Sequence, residues 1–229
     1  MPRFQLARAV HACATDQGAV FLDLAHDCYI GLDAEQSRAL ADLVEGWPES
    51  SMEAPAGRAL LAQGLLAQGL LVEAPAGRAH EAPPLPRARE ELIAWECMPP
   101  ARVRVGHVFT FLRALLTVLI VLRGRSLQAM VRRCERRRRC YGSRFDPERT
   151  RLLLTLYSTI RLFVFARRGR CLLDTFVLIE FLAAYGSLPS AVIGVQVRPF
   201  AAHAWVQEGE RVLNGTVPFV RGFLPILVI

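Results

Sequence analysis

The stretch RPFAAHAWVQEGERVLNG, residues 198–215, holds a single histidine, His203, inside a run that alternates like a strand. Phe200, Ala202, Ala204 and Val206 fall on one face, and Ala201, His203 and Trp205 on the other. Glu208 and Gly209 offer a two-residue turn, after which ERVLN returns as the second arm of a hairpin. That register pairs Gln207 with Glu210 and Trp205 with Val212, and it sets His203 across from Asn214. A three-residue turn through Glu208, Gly209 and Glu210 would set His203 opposite Gly215 instead. A strand histidine alone is ordinarily a core or rim residue with one local hydrogen bond, so its meaning has to come from the surrounding chain.

Upstream, RCLLDTFVLIEFLAAYG at 170–186 places Cys171 at the start of an apolar helix. Helix N-terminal amides favour a thiolate there, and Arg167, Arg168 and Arg170 add positive potential. LPSAVIGVQV, residues 188–197, then reads as a strand of the same sheet as the hairpin. A cysteine at a helix start, a histidine on a following strand and a polar residue on the next is the order of a papain-type or transglutaminase-type thiol site. In such a site the thiolate attacks an acyl carbon, the imidazole moves the proton, and the third residue orients the ring.

Further toward the N-terminus the spacing predicts helices over 105–123 and 126–139, and from Asp146 as N-cap, with Pro147 in the first turn, to Arg167. VFTFLRALLTVLIVL, residues 108–122, is short for a membrane span and carries Arg113 near its centre, which favours a buried or surface-docked helix. The arginine run from Arg132 to Arg139 has no interleaved aromatics and no recognised nucleic-acid motif, so it reads as a solvated face or a docking patch. Cys134 and Cys140 bracket that run with no histidine nearby, a spacing that argues against zinc.

Residues 53–59 and 73–79 both read EAPAGRA and flank LLAQGLLAQGLL, a repeat too short for a solenoid. A helix is expected from Pro55 to about Ala67, with Gly69 as its stop and a short element at 70–72. Before it, alternation predicts strands over 10–15, 19–24 and 28–32, and Asp33 is placed to cap a helix through AEQSRALADLVEGW. HEAPPLPRAREE, residues 80–91, is proline-rich and reads as linker. The division expected is a module over 1–80, a linker over 81–100 and a second module over 101–229.

Charge supports two modules. Residues 1–100 carry 7 Arg against 14 acids, and 101–229 carry 21 Arg against 7. All 28 basic residues are arginine, as a coding bias would produce, and 52% hydrophobic content excludes a disordered chain. Six cysteines without a CxxC pair, and no long apolar signal core in MPRFQLARAV, point to a reduced, cytoplasmic protein.

CLLDT, IGVQVRPFAAHAWV, RVLN and the closing LPILVI together resemble the transglutaminase-like maturation proteases of lasso-peptide biosynthesis, the B proteins. The resemblance covers roughly residues 100–229 and rests on PFAAHAWV with a cysteine 32 residues upstream. Residues 5–80, through VFLDLAHDCYIGLDAEQSRAL, resemble more loosely the winged-helix leader-recognition module related to the pyrroloquinoline-quinone chaperone. The resemblance implies an α+β chain, a small winged-helix-like domain followed by a transglutaminase/papain-like thiol protease domain. It implies a cysteine-type leader peptidase that binds a ribosomal precursor peptide and removes its leader before an asparagine-synthetase-like macrolactam synthetase closes the ring. Carried over, Cys171 is the nucleophile and His203 the base, with no cofactor and no metal. The family usually reads LND where this chain reads LNG, so Gly215 stands in the aspartate's place and Asn214 is expected to orient His203. Leader pairing is expected along the strand of Cys28, Tyr29, Ile30, Gly31 and Leu32. Nucleic acid is not an expected partner, and membrane association is not expected either. Acyl transfer to an amine on the same Cys-His chemistry, and a non-catalytic peptide-binding scaffold, stay open as alternatives.

Overall fold

Alternating apolar residues close to one another in the chain favour antiparallel pairing with short turns, and the N-terminal part is built this way. The computed structural model describes residues 4–49, 57–92, 102–124, 126–141, 145–164 and 170–229. Cys97, Arg167, Arg168 and the start of the first EAPAGRA copy, 53–56, lie outside the described residues. Two compact units share the chain: the first takes 1–83, 195–202 and 224–227, and the second takes 84–194, 203–223 and 228–229.

In the first unit, β1 (Phe4–Leu6) is followed by β2 (Val10–Thr15), β3 (Gly18–Asp23) and β4 (Cys28–Asp33), the last three forming an antiparallel sheet in the order β2-β3-β4. These strands fall within a residue of where alternation predicts them. Asp33 caps α1 (Ala34–Ala39) by accepting from the Gln36 N–H at 2.8 Å, while the Gln36 side chain accepts from the Asp33 N–H at 3.1 Å. The helix expected to run on toward Trp47 stops at Ala39. A series of turns follows, with Asp42 in the left-handed region at φ 63°, a conformation no continuous helix contains. α2 (Arg58–Ala67) and β5 (Leu71–Glu73) complete the unit, β5 pairing antiparallel with β1. Phe21 stacks on Trp47 at 5.6 Å in a core with Leu6, Leu40, Leu65 and Leu71, and the Trp47 indole N–H donates to Ser37 O at 2.9 Å. That bond satisfies the one polar atom the indole takes inside.

The long helices belong to the second unit: α3 (Val105–Gly124), α4 (Leu127–Tyr141), α5 (Pro147–Val164) and α6 (Cys171–Ala183). α5 begins as its sequence predicts, with the Asp146 carboxylate accepting from the Glu148 and Arg149 N–H groups. The residues of α6 from 174 to 182 are all buried, including Asp174 and Glu180. The arginine run expected as a solvated face does partly structural work. Arg133 and Arg137 each place a guanidinium nitrogen 2.7 Å from the Glu180 carboxylate, and Arg138 reaches Ser190 Oγ at 3.0 Å. A buried glutamate needs such partners, because an unpaired charge in the core costs several kcal/mol.

Five strands make the remaining sheet: β6 (Glu90–Glu91), β7 (Ser190–Gln196), β8 (Ala201–Glu208), β9 (Arg211–Val212) and β10 (Leu224–Val228), in the order β10-β7-β8-β9-β6, with the short α7 (Val217–Val220) between β9 and β10. Within the proline-rich stretch, Glu90–Glu91 thus forms a short strand parallel to β9.

Candidate active site

The hairpin that carries His203 closes one step later than the sequence suggests. Its ladder runs Gln207↔Val212 and Glu208↔Arg211, so the turn is Gly209–Glu210 and the register differs by two residues from the expected one. Gly209 sits first in the turn with φ 56°, the position a II′ turn reserves for glycine, and this selects the register. The expected pairing of His203 with Asn214 therefore does not form, and the three-residue alternative does not form either.

Asn214 is committed elsewhere. Its Oδ1 accepts from the Val206 N–H at 2.6 Å, and its Nδ2 donates to Thr175 Oγ1 at 3.3 Å. One side chain thus links β8, three residues past His203, to α6, one turn past Cys171. Thr175 and Cys171 are spaced i and i+4, so they share a helix face. The Leu213 N–H donates to Val206 O at 2.8 Å and extends the hairpin beyond its ladder.

Cys171 is a free, half-buried thiol at the first residue of α6, after an N-cap, Arg170, that makes no side-chain capping bond. Beneath it lies a buried polar cluster. Asp174 accepts from Tyr157 Oη at 2.8 Å and pairs with Arg161 Nε at 2.9 Å. Burial pushes the Asp174 carboxyl above the usual carboxylate range, and the Arg161 guanidinium and the hydrogen bonds from Tyr157 and Asn214 pull the other way. The Tyr157 phenol is driven well above its ordinary value, first by burial and then by the Asp174 charge.

His203 meets a different environment. Its ring lies 4.9 Å from Phe219, 5.4 Å from Phe223 and 6.1 Å from Trp205, the last nearly parallel at 13°. Burial among these rings lowers the imidazole below 6.5, because it disfavours the charged form. Among the described residues no side chain hydrogen bonds to the imidazole. Gly194 on β7 makes the arrangement possible, since a Cβ there would come 2.6 Å from Trp205 Cζ3 and 3.0 Å from Phe223 Cβ. The Trp205 indole N–H donates to Gln207 Oε1 at 2.9 Å, and Gln207 Nε2 donates to Pro86 O and Gly209 O, so the strand side chains next to His203 are fixed.

In the first unit, β4 is the last strand of the β2-β3-β4 sheet. Cys28, Tyr29 and Ile30 are half-buried, Gly31 is exposed and Leu32 buried. A cavity of about 630 Å³ lies between β4, α1 and α2, lined by Ile30, Leu32, Gln36, Leu61, Leu65 and Gln68 among others. Tyr29 packs 5.5 Å from Phe200, also of the first unit.

Sequence reasoning picked out Cys171, His203 and Asn214 and passed over Asp174, Thr175, Tyr157 and Arg161. The signal was available: Asp174 and Glu180 are the only acids in an otherwise apolar helix, and buried acids require partners. A family model described as the transglutaminase-like superfamily matches residues 112–228, which include Cys171, His203 and Asn214. That superfamily generally has cysteine-type enzymatic activity, compatible with a protease or an acyltransferase. No curated protein and no solved structure matches the chain.

Proposed function

The chain belongs to the transglutaminase-like superfamily, and from that premise we propose that it is a cysteine leader peptidase for a lasso-peptide precursor, with Cys171 as nucleophile and His203 as general base. The observation that carries this reading is the pair of hydrogen bonds from Asn214, which ties the start of α6 to β8 and so couples the placement of the thiol to that of the imidazole. The uncapped amides at the start of α6 favour negative charge at that end. In the proposed cycle Cys171 Sγ attacks the carbonyl carbon at the leader–core junction, and His203 takes the thiol proton. The C–N bond breaks as the imidazolium returns that proton to the departing amine, and water then hydrolyses the thioester with His203 again as base. Asn214 acts as a positioning residue through Thr175 and the Val206 N–H.

The first unit supports the binding half of the reading. An extended leader adds to the edge of the sheet at β4, along Cys28, Tyr29, Ile30, Gly31 and Leu32, and its side chains enter the cavity beside α1 and α2. The winged-helix-like character of residues 1–80, a cytoplasmic setting and hand-over of the freed core to a macrolactam synthetase belong to the same proposal. The test is mass spectrometry of the full chain incubated with a lasso-peptide precursor carrying its leader. Hydrolysis gives free leader and free core, acyl transfer gives a new amide, and an intact precursor leaves only the scaffold reading.

A further inference from the structure

α3 is the one helix among the described residues that is long and apolar enough to cross a membrane. One face of it packs within the second unit, where Phe111, Ala114 and Val118 are buried. The opposite face is left bare. Val105, Phe109, Leu112, Leu116 and Ile120 are 87, 68, 49, 58 and 61% exposed. Their spacing of three or four residues makes them a single stripe about 22 Å long. An unbroken apolar line of that length on a surface marks something that covers it.

The charges around the stripe say what. No acidic residue occurs between Arg102 and Cys134. Arg102, Arg104, Arg113 and Arg123 are exposed, and among the described residues none has an ion-pair partner. Beyond the C-terminal end of the stripe, a second cavity of about 630 Å³ is lined by Val121, Ser126, Gln128, Arg132, Arg133 and Arg136, and of its three arginines Arg133 is paired with Glu180. A second copy of this chain would set these arginines against one another, with no acid in the segment to balance them. An anionic bilayer matches both features: acyl chains accept the apolar stripe, arginines at its ends keep their heads in the phosphate layer, and the guanidinium cavity fits a phosphate headgroup.

We propose that the α3–α4 face of the second unit docks in the plane of a membrane surface rich in anionic phospholipid, with α3 lying along the interface and Arg132 and Arg136 holding headgroup phosphate. This is independent of the peptidase reading. It departs from the expectation drawn from composition because a half-buried apolar helix shows its second face only when the first is known.

The test is co-sedimentation of the full chain with phosphatidylcholine vesicles made with and without phosphatidylglycerol. The chain is expected to pellet with the anionic vesicles and to be released by salt. Phe109→Asp combined with Leu116→Asp, two exposed positions whose change leaves the core untouched, should abolish binding while the circular dichroism spectrum stays unchanged. Arg132→Glu with Arg136→Glu, which spares the Arg133–Glu180 pair, should weaken binding about tenfold or more. Equal binding to neutral vesicles, or binding that survives both double variants, overturns the proposal. So does a chain that elutes as a dimer, ignores vesicles and becomes monomeric on Phe109→Asp with Leu116→Asp, since a second copy would then be the occupant.

Discussion

Below Cys171 the chain buries polar groups, and around His203 it stacks rings. Asp174, Tyr157, Arg161, Thr175 and Asn214 satisfy one another through short, directional bonds, so removing one member leaves the others desolvated and unpaired. Trp205, Phe219 and Phe223 surround the imidazole by ring contact, and burial among them disfavours its charged form. The difference suggests a division of labour, in which the polar wall fixes where α6 begins relative to β8 and the aromatic wall favours the neutral imidazole.

The largest test is at the thiol itself. Cys171→Ala should lower precursor cleavage by at least about a thousandfold while leaving affinity for the leader peptide nearly unchanged, read by product mass and by fluorescence anisotropy. Cleavage retained in that variant would remove the chemistry from this end of α6 altogether.

Breaking each wall in turn sharpens the comparison. Asp174→Ala should cost about 2 kcal/mol in urea unfolding, less than a fully buried pair would because Arg161 is 38% exposed and can rehydrate. Phe219→Ala, at a ring 54% exposed, should cost about 1 kcal/mol. If the two costs come out reversed, the polar cluster is not what holds the site together.

Much of this was legible beforehand, and the misses have physical causes. The strands of the first unit followed from alternation and the start of α1 from Asp33, because both signals are local. The repeated EAPAGRA shows the limit. Gly57 in the first copy takes φ 87° with open space around it and starts α2, whereas Gly77 in the second lies where a Cβ would come 2.3 Å from Leu6 O, next to β1. Identical residues meet different neighbours, and tertiary context decides. The hairpin register was missed for a similar reason: in Glu-Gly-Glu the glycine can take either central place of a two-residue turn, and alternation does not choose between them. That Asp174 and Glu180 needed partners could be read from an apolar helix, but which of the many arginines served could not.

Asn214→Ala separates positioning from chemistry. It deletes the link from Thr175 to the Val206 N–H and should lower kcat by about tenfold, equivalent to about 1.4 kcal/mol, with KM little changed. A loss confined to KM would place Asn214 in substrate binding instead.

The aromatic wall predicts a pH profile. An ordinary imidazole with a pKa of 6.5 keeps about a quarter of its neutral form at pH 6. Burial lowers the His203 value, so protonation, and with it loss of the base, begins only further below 6.5. The acid limb of kcat/KM should therefore lie below pH 6.5, with activity at pH 6 above the quarter of the plateau that an ordinary imidazole would keep. Phe219→Ala should move that limb back toward 6.5 by admitting water. A limb at or above 6.5 in the parent chain would mean that the rings do not shield the base.

The smallest effect is expected where the family's aspartate is missing. A Cβ built at Gly215 meets only Val220 Cγ1 at 3.4 Å and Val212 Cγ1 at 3.7 Å, which is ordinary contact, so Gly215→Asp should fold without strain. Those first neighbours are methyl groups, and the observed register does not set residue 215 across from His203. The new carboxylate should therefore leave kcat within about twofold of the parent, since a group that does not contact the imidazole changes the barrier by only a few tenths of a kcal/mol. An acceleration of tenfold or more would mean that the carboxylate reaches the imidazole despite the register. Combining Gly215→Asp with Asn214→Ala would then tell whether the two residues act on the same ring: independent roles multiply their effects, and a shared role makes the second change nearly silent.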